Sequence, residues 1–523
     1  MGAAVLQARL WAVLTGAALV LILLVAMRPL LPIDETRYLS VAWEMHLSGD
    51  PLHLTMNGAA YTHKTPPLFW LINAVWLVTG VSEFAARLVG PACALGMLAG
   101  TATLARRFWP DRDQGPLAAM VLAGFPVFLI YGSATMFDAL LGLGVLGGVA
   151  ALWQIGQGHC TNRNWALFGL AVAFGTYAKG PVILVHLAPL LLTLPLWASA
   201  APRLADLLRG LALALLVALA LVALWLVPTL ATATPEFRNE LLWTQSAARV
   251  AGGMAHDRPM WFLAALLPVL LFPWGWSLAL WRAMAGPWRA DPAVRLCRIW
   301  VLSSLLLFSL ISGKQVHYLL PTFPAMALLF ADASTRARPS GFWLARAGWL
   351  PLLTVAVAAA LIGARLIEAK GDLALLAPFW PILILAALCL GLVAALWRLP
   401  LVAGHLVAGL GVTLGLHAIV ASTALYSAYD GNAIAAKLAA AEPQGLAVTE
   451  ANYHAEFNFL ARLGQPVAQP QSAADWADWA QAHPQGLIFG RVGNPHVVAD
   501  PAESRRYMGH TIGFWPAAAI SLE

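Results

Sequence analysis

The chain has 523 residues, of which 60% are apolar and only 11% charged, with a formal charge of +6 and a mean hydropathy of +0.73. Soluble domains hold roughly 45–50% apolar residues, so this composition excludes an ordinary water-soluble globule. Apolar runs recur near the ~20 residues that cross a ~30 Å hydrocarbon core, where a β-barrel would show short alternating segments, and no basic patch points to nucleic acid.

Taken in order, the first apolar run extends from Leu10 to Met27. No A-x-A-like cleavage site follows it, so it reads as a retained span. About thirteen spans are predicted, near residues 9–28, 84–105, 116–134, 137–156, 164–178, 181–200, 209–230, 259–281, 297–312, 317–333, 343–364, 376–397 and 400–424. Alternate loops carry the arginines, among them Arg106, Arg107, Arg112, Arg163, Arg203, Arg209, Arg289 and Arg398. The positive-inside rule makes these loops cytoplasmic, together with the N-terminus. The first loop (29–83), the loop 231–258, the turns near 135, 179 and 314, and the tail then lie on the outer face. The four cysteines fall in or beside predicted spans without metal-ligand spacing.

Within the first outer loop, DETRYLSVAWEMHLSGD has helical apolar spacing and reads as an amphipathic helix along the membrane surface. PPLFWLINAVWLVTG opens on prolines and is rich in aromatics, which suits a second interfacial helix. From about Tyr426 the composition changes. NAIAAKLAAA, HAEFNFLARL and ADWADWAQAH read as helices, and GLAVTEA and GLIFGRV as strands. The expected organisation is a transmembrane domain over 1–425 and a small α/β domain over 426–523, outside the membrane.

Ionisable residues gather at the outer ends of the spans, where they are costly and usually face a cavity or a partner. Asp34 and Glu35 follow the first span and are read as an acceptor-orienting or basic pair, with Arg37 and Tyr38 beside them; helix capping is the ordinary structural alternative. Lys64, next to His63, opposes the positive-inside bias and reads as an anion ligand rather than a snorkelling lysine. Asp138 and Lys179 stand at two outer turns, where a structural ion pair is as well supported as a direct role in chemistry. Arg249 and His256 are separated out of the loop 231–258 as guanidinium and imidazole donors. Lys314, His317 and Tyr318 compress three phosphate-capable groups into one turn.

In order along the chain, Asp34-Glu35-Thr36-Arg37-Tyr38, Tyr61…Lys64-Thr65-Pro66-Pro67, Phe137-Asp138, Lys179-Gly180, His256-Asp257-Arg258-Pro259 and Lys314…His317-Tyr318 resemble the C-type membrane glycosyltransferases. The likeness is to the branch of the lipid A aminoarabinose transferases, related to the protein O-mannosyltransferases. That resemblance implies an inverting transfer of sugar from a polyprenyl-phosphate donor to an envelope acceptor such as lipid A, at the periplasmic face of the bacterial inner membrane. It implies a catalytic Asp34, with Glu35, Arg37, Tyr38 and Asp138 around the acceptor. The donor phosphate would lie against Lys64, Lys179, Arg249, Lys314, His317 and Tyr318. The chain departs from the aminoarabinose enzymes' Glu-Lys-Pro, having His63-Lys64-Thr65. The sequence itself shows no required cofactor; a divalent ion would have only His63 and His256 as candidate ligands. Protein O-glycosylation is the nearest alternative activity, and a lipid-linked-sugar flippase the nearest alternative class. A flippase would more naturally place its charges at mid-span in broken helices.

Overall fold

The computed structural model describes residues 3–244, 258–285, 291–337, 345–368, 370–376, 379–493 and 499–519. It is a polytopic helical bundle. α1 (Ala3–Ala26) leads into a segment that holds α2 (Asp34–Ser48), a two-strand hairpin of β1 (Thr55–Met56) and β2 (Ala59–Ala60), and α3 (Pro67–Thr79). Both helices expected from the sequence in this segment are formed. α2 ends at Gly49, whose φ of 68° supplies the left-handed C-cap.

The chain returns through α4 (Glu83–Arg87) and α5 (Val89–Phe108), then α6 (Gly115–Ala123) and α7 (Pro126–Ser133), which meet at a 78° bend. Pro126 opens α7 and cannot continue the ladder of α6. At this bend Gly409 comes so close that a Cβ on it would sit 1.9 Å from the Gly124 carbonyl oxygen. Next come α8 (Phe137–Gly156), α9 (Asn162–Lys179) and α10 (Val182–Leu192). Gly144 of α8 faces Gly175 of α9, where an added Cβ would lie 3.1 Å from the backbone nitrogen. Small residues let neighbouring membrane helices approach closely. The start of α8 thereby meets the end of α9.

Among the described residues, eight helices are long and apolar enough to cross a membrane, or nine if the bent α6–α7 pair is one span. Helices occupy all thirteen predicted stretches. Those near 164–178, 181–200, 259–281 and 343–364 are too short, too polar or too broken to qualify by length and composition. Pro189 and Pro268 interrupt two of them.

Beyond Tyr429 lies a four-stranded sheet of β3 (Leu446–Val448), β4 (Leu487–Arg491), β5 (Glu503–Tyr507) and β6 (His510–Pro516), in the order β3-β4-β6-β5. β3 and β4 run parallel, and the other pairs are antiparallel. Two predicted helices form as read, Asn432–Ala441 and Ala473–Ala482. HAEFNFLARL keeps only the turn Asn458–Ala461, because Ala455 and Arg462, at φ 55° and 53°, break the helical path on either side. The sheet unit covers α2. Ser40 donates to the Ala455 carbonyl at 2.7 Å and accepts from the Phe459 amide at 3.0 Å, and the Trp43 indole donates to the Leu463 carbonyl at 2.8 Å. Phe459 also stacks on Trp76 of α3 at 5.4 Å. α2 is thus sandwiched over most of its length, and only its last turn, His46 to Ser48, is exposed.

A buried knot of charge joins α1, α2, α4 and the α7–α8 turn. The Glu35 carboxylate accepts from both Arg28 guanidinium nitrogens, from the Leu31 amide at 3.0 Å and from the Thr135 amide at 2.7 Å. Arg28 also donates to the Ser133 carbonyl at 2.9 Å. Arg87 donates to the Val25, Arg28 and Pro29 carbonyls and pairs with Glu83 at 2.8 Å. Burial alone would raise the Glu35 carboxyl, but the Arg28 guanidinium outweighs it and holds the group at about 2. Its contribution to stability is therefore present above the ordinary carboxylate range and is lost as pH falls from there through about 2. Glu35→Gln leaves the buried Arg28 without its counter-charge and should cost about 3–5 kcal/mol, read as a lowered midpoint in thermal unfolding of the detergent-solubilised protein. An unchanged midpoint would remove the knot as a structural determinant.

Candidate active site

Asp34 is the first residue of α2, after the Ile33 N-cap, and makes no capping bond with its side chain. It is paired instead with Arg37, one turn on. Capping therefore does not account for this carboxylate. Arg37 also lies over the Tyr38 ring, 5.4 Å from its centroid. Tyr38 and Tyr61 are both buried, and burial raises both phenols, Tyr61 to about 12. They stay neutral hydroxyl donors at physiological pH, and the Tyr61 hydroxyl has no partner among the described residues.

Lys64 sits ahead of α3 with its ammonium 5.9 Å from the Tyr38 centroid and 6.0 Å from that of Phe137. The described residues give it no ion pair or hydrogen bond. Burial, reinforced by the Lys179 ammonium, brings Lys64 down to about 8, with Asp34 and Asp138 working in the opposite direction. Lys179 is already engaged. Its ammonium donates to Asp138 Oδ1 at 2.6 Å and lies 4.5 Å over the Tyr318 ring. His317 approaches the other carboxylate oxygen of Asp138 at 3.9 Å and meets the Tyr318 ring edge-on at 4.9 Å. Asp34, Arg37, Tyr38, Lys64, Asp138, Lys179, His317 and Tyr318 thus form one neighbourhood. It offers a lysine with spare donors, neutral phenols and a carboxylate at a helix start, a set able to bind an oxyanion while orienting a hydroxyl beside it.

Two expected members fall elsewhere. Glu35, read from the sequence as an acceptor residue, is 2% exposed and fully engaged in the knot with Arg28. It follows Asp34 on a helix, so its side chain points about 100° away, and it serves as a brace. Lys314 donates to the Arg258 carbonyl at 2.7 Å and lies 3.5 Å from that of Ser312, tying two loops together. It is not joined to the Asp138 group by any described contact. His63 stacks on Tyr61 at 5.6 Å. Arg249 and His256 lie outside the described residues. No group of three His, Cys, Asp or Glu side chains among the described residues could hold a metal ion, and no step is assigned to a metal.

Two neighbours escaped the sequence reading. Tyr131 packs on His317 at 5.5 Å. His186 is fully buried, bonded to Ser304 at 3.2 Å and Thr322 at 3.5 Å, behind the Lys179–Asp138 pair. A histidine inside the apolar run VILVHLAPLLL was the available signal for it.

With the site in view, the chain resembles the C-type membrane glycosyltransferases in fold and motif. Its fold matches that of ArnT from Cupriavidus metallidurans bound to undecaprenyl phosphate, with a TM-score of 0.76 over 98% of both chains at 20% identity. The family model described as dolichyl-phosphate-mannose-protein mannosyltransferase matches residues 63–227. The undecaprenyl phosphate-alpha-4-amino-4-deoxy-L-arabinose arabinosyl transferase of Pseudomonas paraeruginosa is 33% identical over 307 residues, 57% of this chain and 55% of that protein. The corresponding transferase 1 of Sodalis glossinidius is 31% identical over 337 residues, 62% and 59% of the two chains. The match spans little more than half the length of these curated relatives.

The Asp138–Lys179 contact yields a direct test. Each single change, Asp138→Asn or Lys179→Met, strands a buried charge and should destabilise by about 3–5 kcal/mol. The double variant should cost clearly less than the sum, by about 1–3 kcal/mol of coupling in denaturation of the purified protein. Strict additivity would show that the two side chains do not act as a pair.

Proposed function

We propose that the protein is an inverting glycosyltransferase that moves a sugar from a polyprenyl-phosphate donor to an envelope acceptor such as lipid A. The reaction takes place at the periplasmic face of the bacterial inner membrane, with about thirteen helices crossing it and residues 426–523 forming a periplasmic α/β domain. The observation that carries this reading is the Lys64 ammonium, without an ion pair among the described residues, in one neighbourhood with Asp34 and the Asp138–Lys179 pair. Likeness to proteins named as aminoarabinose transferases supports the choice of donor and acceptor class.

In this mechanism the donor phosphate rests against Lys64, with the Lys179 ammonium behind it. The acceptor oxygen attacks the anomeric carbon from the opposite side. The bond from that carbon to the phosphate oxygen breaks, its electron pair leaves with the phosphate, and the configuration inverts. Preorganised cations stabilise the charge that develops on the leaving phosphate. Asp34 orients the acceptor and takes its proton when the nucleophile is a hydroxyl; when the nucleophile is an acceptor phosphate, its oxygen is already anionic and Asp34 positions it. Asp138 holds Lys179 in place, and Arg37 keeps Asp34 aimed.

Asp34→Asn and Lys64→Ala should each reduce transfer by about 10²-fold or more, while the variants keep wild-type elution and thermal midpoint. Wild-type turnover by purified Asp34→Asn would sink the mechanism. Lys64 binds phosphate only as the cation, so kcat/KM for the donor should fall as pH rises through about 8. Lys64→Arg, which stays charged, should remove that inflection from the pH profile even where it lowers the plateau. An inflection retained in Lys64→Arg would assign the titration to another group.

A further inference from the structure

A cavity of about 870 Å³ runs between α8 and α9, away from the candidate active site. Asp138 opens α8 and Lys179 closes α9, whereas the cavity reaches Gln154 and Asn164, at the opposite ends of the two helices. From Asp138 to Gln154 the helix rises by about 24 Å. In a hydrocarbon core about 30 Å thick, the polar end of the cavity then lies at the headgroup level of the leaflet remote from Asp34 and Lys64.

The floor of the cavity is made by small residues. Gly147, Ala150 and Ala151 of α8 and Ala171 of α9 supply no long side chain, and a Cβ on Gly147 would meet only the Ala171 Cβ, at 3.5 Å. Leu167, Leu170 and Phe174 stand around this floor, at helical spacing along one face of α9, and are 42%, 48% and 38% exposed. The apolar lane between Asn164 and Phe174 is about 15 Å long, close to the depth of one leaflet.

The other end of the cavity is basic. Arg107, from the last turn of α5, and Arg163, from the first turn of α9, line it with the His159 ring, and no acidic side chain does. Neither arginine has an ion pair or hydrogen bond among the described residues. Asp206, whose charge reaches Cys160, is not part of the wall. Basic pockets between membrane helices suit the headgroups of anionic lipids, while an ammonium headgroup would find no carboxylate here. A water-soluble anion would leave the apolar lane uncovered, so the two halves of the cavity fit a single amphiphile.

We propose that this groove holds one anionic glycerophospholipid, with its phosphate between Arg107 and Arg163 and an acyl chain along the glycine–alanine floor. The lipid lies against the two helices that carry Asp138 and Lys179. It fastens them together in one leaflet while the ion pair fastens them in the other. The lipid site stands whether or not the opposite end of these helices transfers a sugar.

The test uses the full-length protein, stripped of lipid in detergent, with dioleoyl-phosphatidylglycerol as probe. Native mass spectrometry should show the wild type retaining phosphatidylglycerol in preference to phosphatidylcholine. Arg107→Gln combined with Arg163→Gln should weaken retention about tenfold or more, and Gly147→Leu, which fills the lane, should weaken it as well. Both arginines are exposed, so the double variant should keep the lipid-free melting midpoint of the wild type. Should Gly147→Leu fail to fold, the arginine variant carries the test alone. Added phosphatidylglycerol should raise the midpoint of the wild type and not that of the arginine variant. Glycerophosphoglycerol, the same headgroup without chains, should not displace the lipid. Equal retention of phosphatidylcholine, or equal retention of phosphatidylglycerol by the wild type and the arginine variant, overturns the proposal. Displacement by glycerophosphoglycerol overturns it too, in favour of a site for a water-soluble anion.

Discussion

The structure depends on one carboxylate that takes no part in the proposed chemistry. Glu35 gathers both guanidinium nitrogens of Arg28 and the amides of Leu31 and Thr135. A charge taken out of water is costly unless every lone pair is answered, and this one is answered from several elements at once. The consequence is positional. Asp34 stands one residue before Glu35, and Asp138 three residues after Thr135. The bond from the Thr135 amide therefore sets the two carboxylates of the site relative to each other, and the glycine contact between α8 and α9 then delivers Lys179 to the second of them.

The neighbourhood so assembled is electrostatically unfinished. Asp138 is shared between Lys179 and His317, and Asp34 is taken by Arg37. Lys64 is left against aromatic faces with a like charge nearby. Opposite charges a few ångströms apart attract by several kcal/mol at an effective dielectric of about 20, so an anion placed between Lys64 and Lys179 relieves their repulsion. In the proposed mechanism, affinity for an oxyanion would follow from repulsion between fixed cations as much as from new hydrogen bonds.

Much of this was legible in the sequence. Hydropathy and arginine spacing placed helices in all thirteen stretches, and the rarity of charge made Asp34, Lys64, Asp138, Lys179 and His317 conspicuous. What failed to show was which partner each charge would take. Glu35 and Asp34 are adjacent in sequence but separated by about 100° of helix, and only the three-dimensional position of Arg28 decides which one becomes the brace. Lys314 likewise looked like a phosphate ligand until two backbone carbonyls claimed it. In the tail, HAEFNFLARL has helical composition, yet its path is broken by two left-handed residues that no periodicity reveals. Strands β5 and β6 were missed because the run ESRRYMGHTIGFWP opens with exposed charges, and its alternation appears only once one face is buried.

Asn57 gives the sheet unit a different standing from that of an appended tail. Its side-chain amide donates to the Val467 carbonyl at 2.8 Å, while its oxygen accepts from the Val467 amide at 2.8 Å and from Asn458 at 3.1 Å; Glu44 of α2 holds its backbone amide at 2.5 Å. One buried residue of the β1–β2 hairpin is thereby stitched to segments more than four hundred positions away in sequence. Cooperative units are defined by such shared contacts rather than by chain order. The segment between α1 and α4 and the C-terminal sheet then constitute a single foldon. Hydrogen exchange would find their amides opening together, and during synthesis the segment that bears Asp34 and Lys64 would wait for almost the whole chain before it could take its final form.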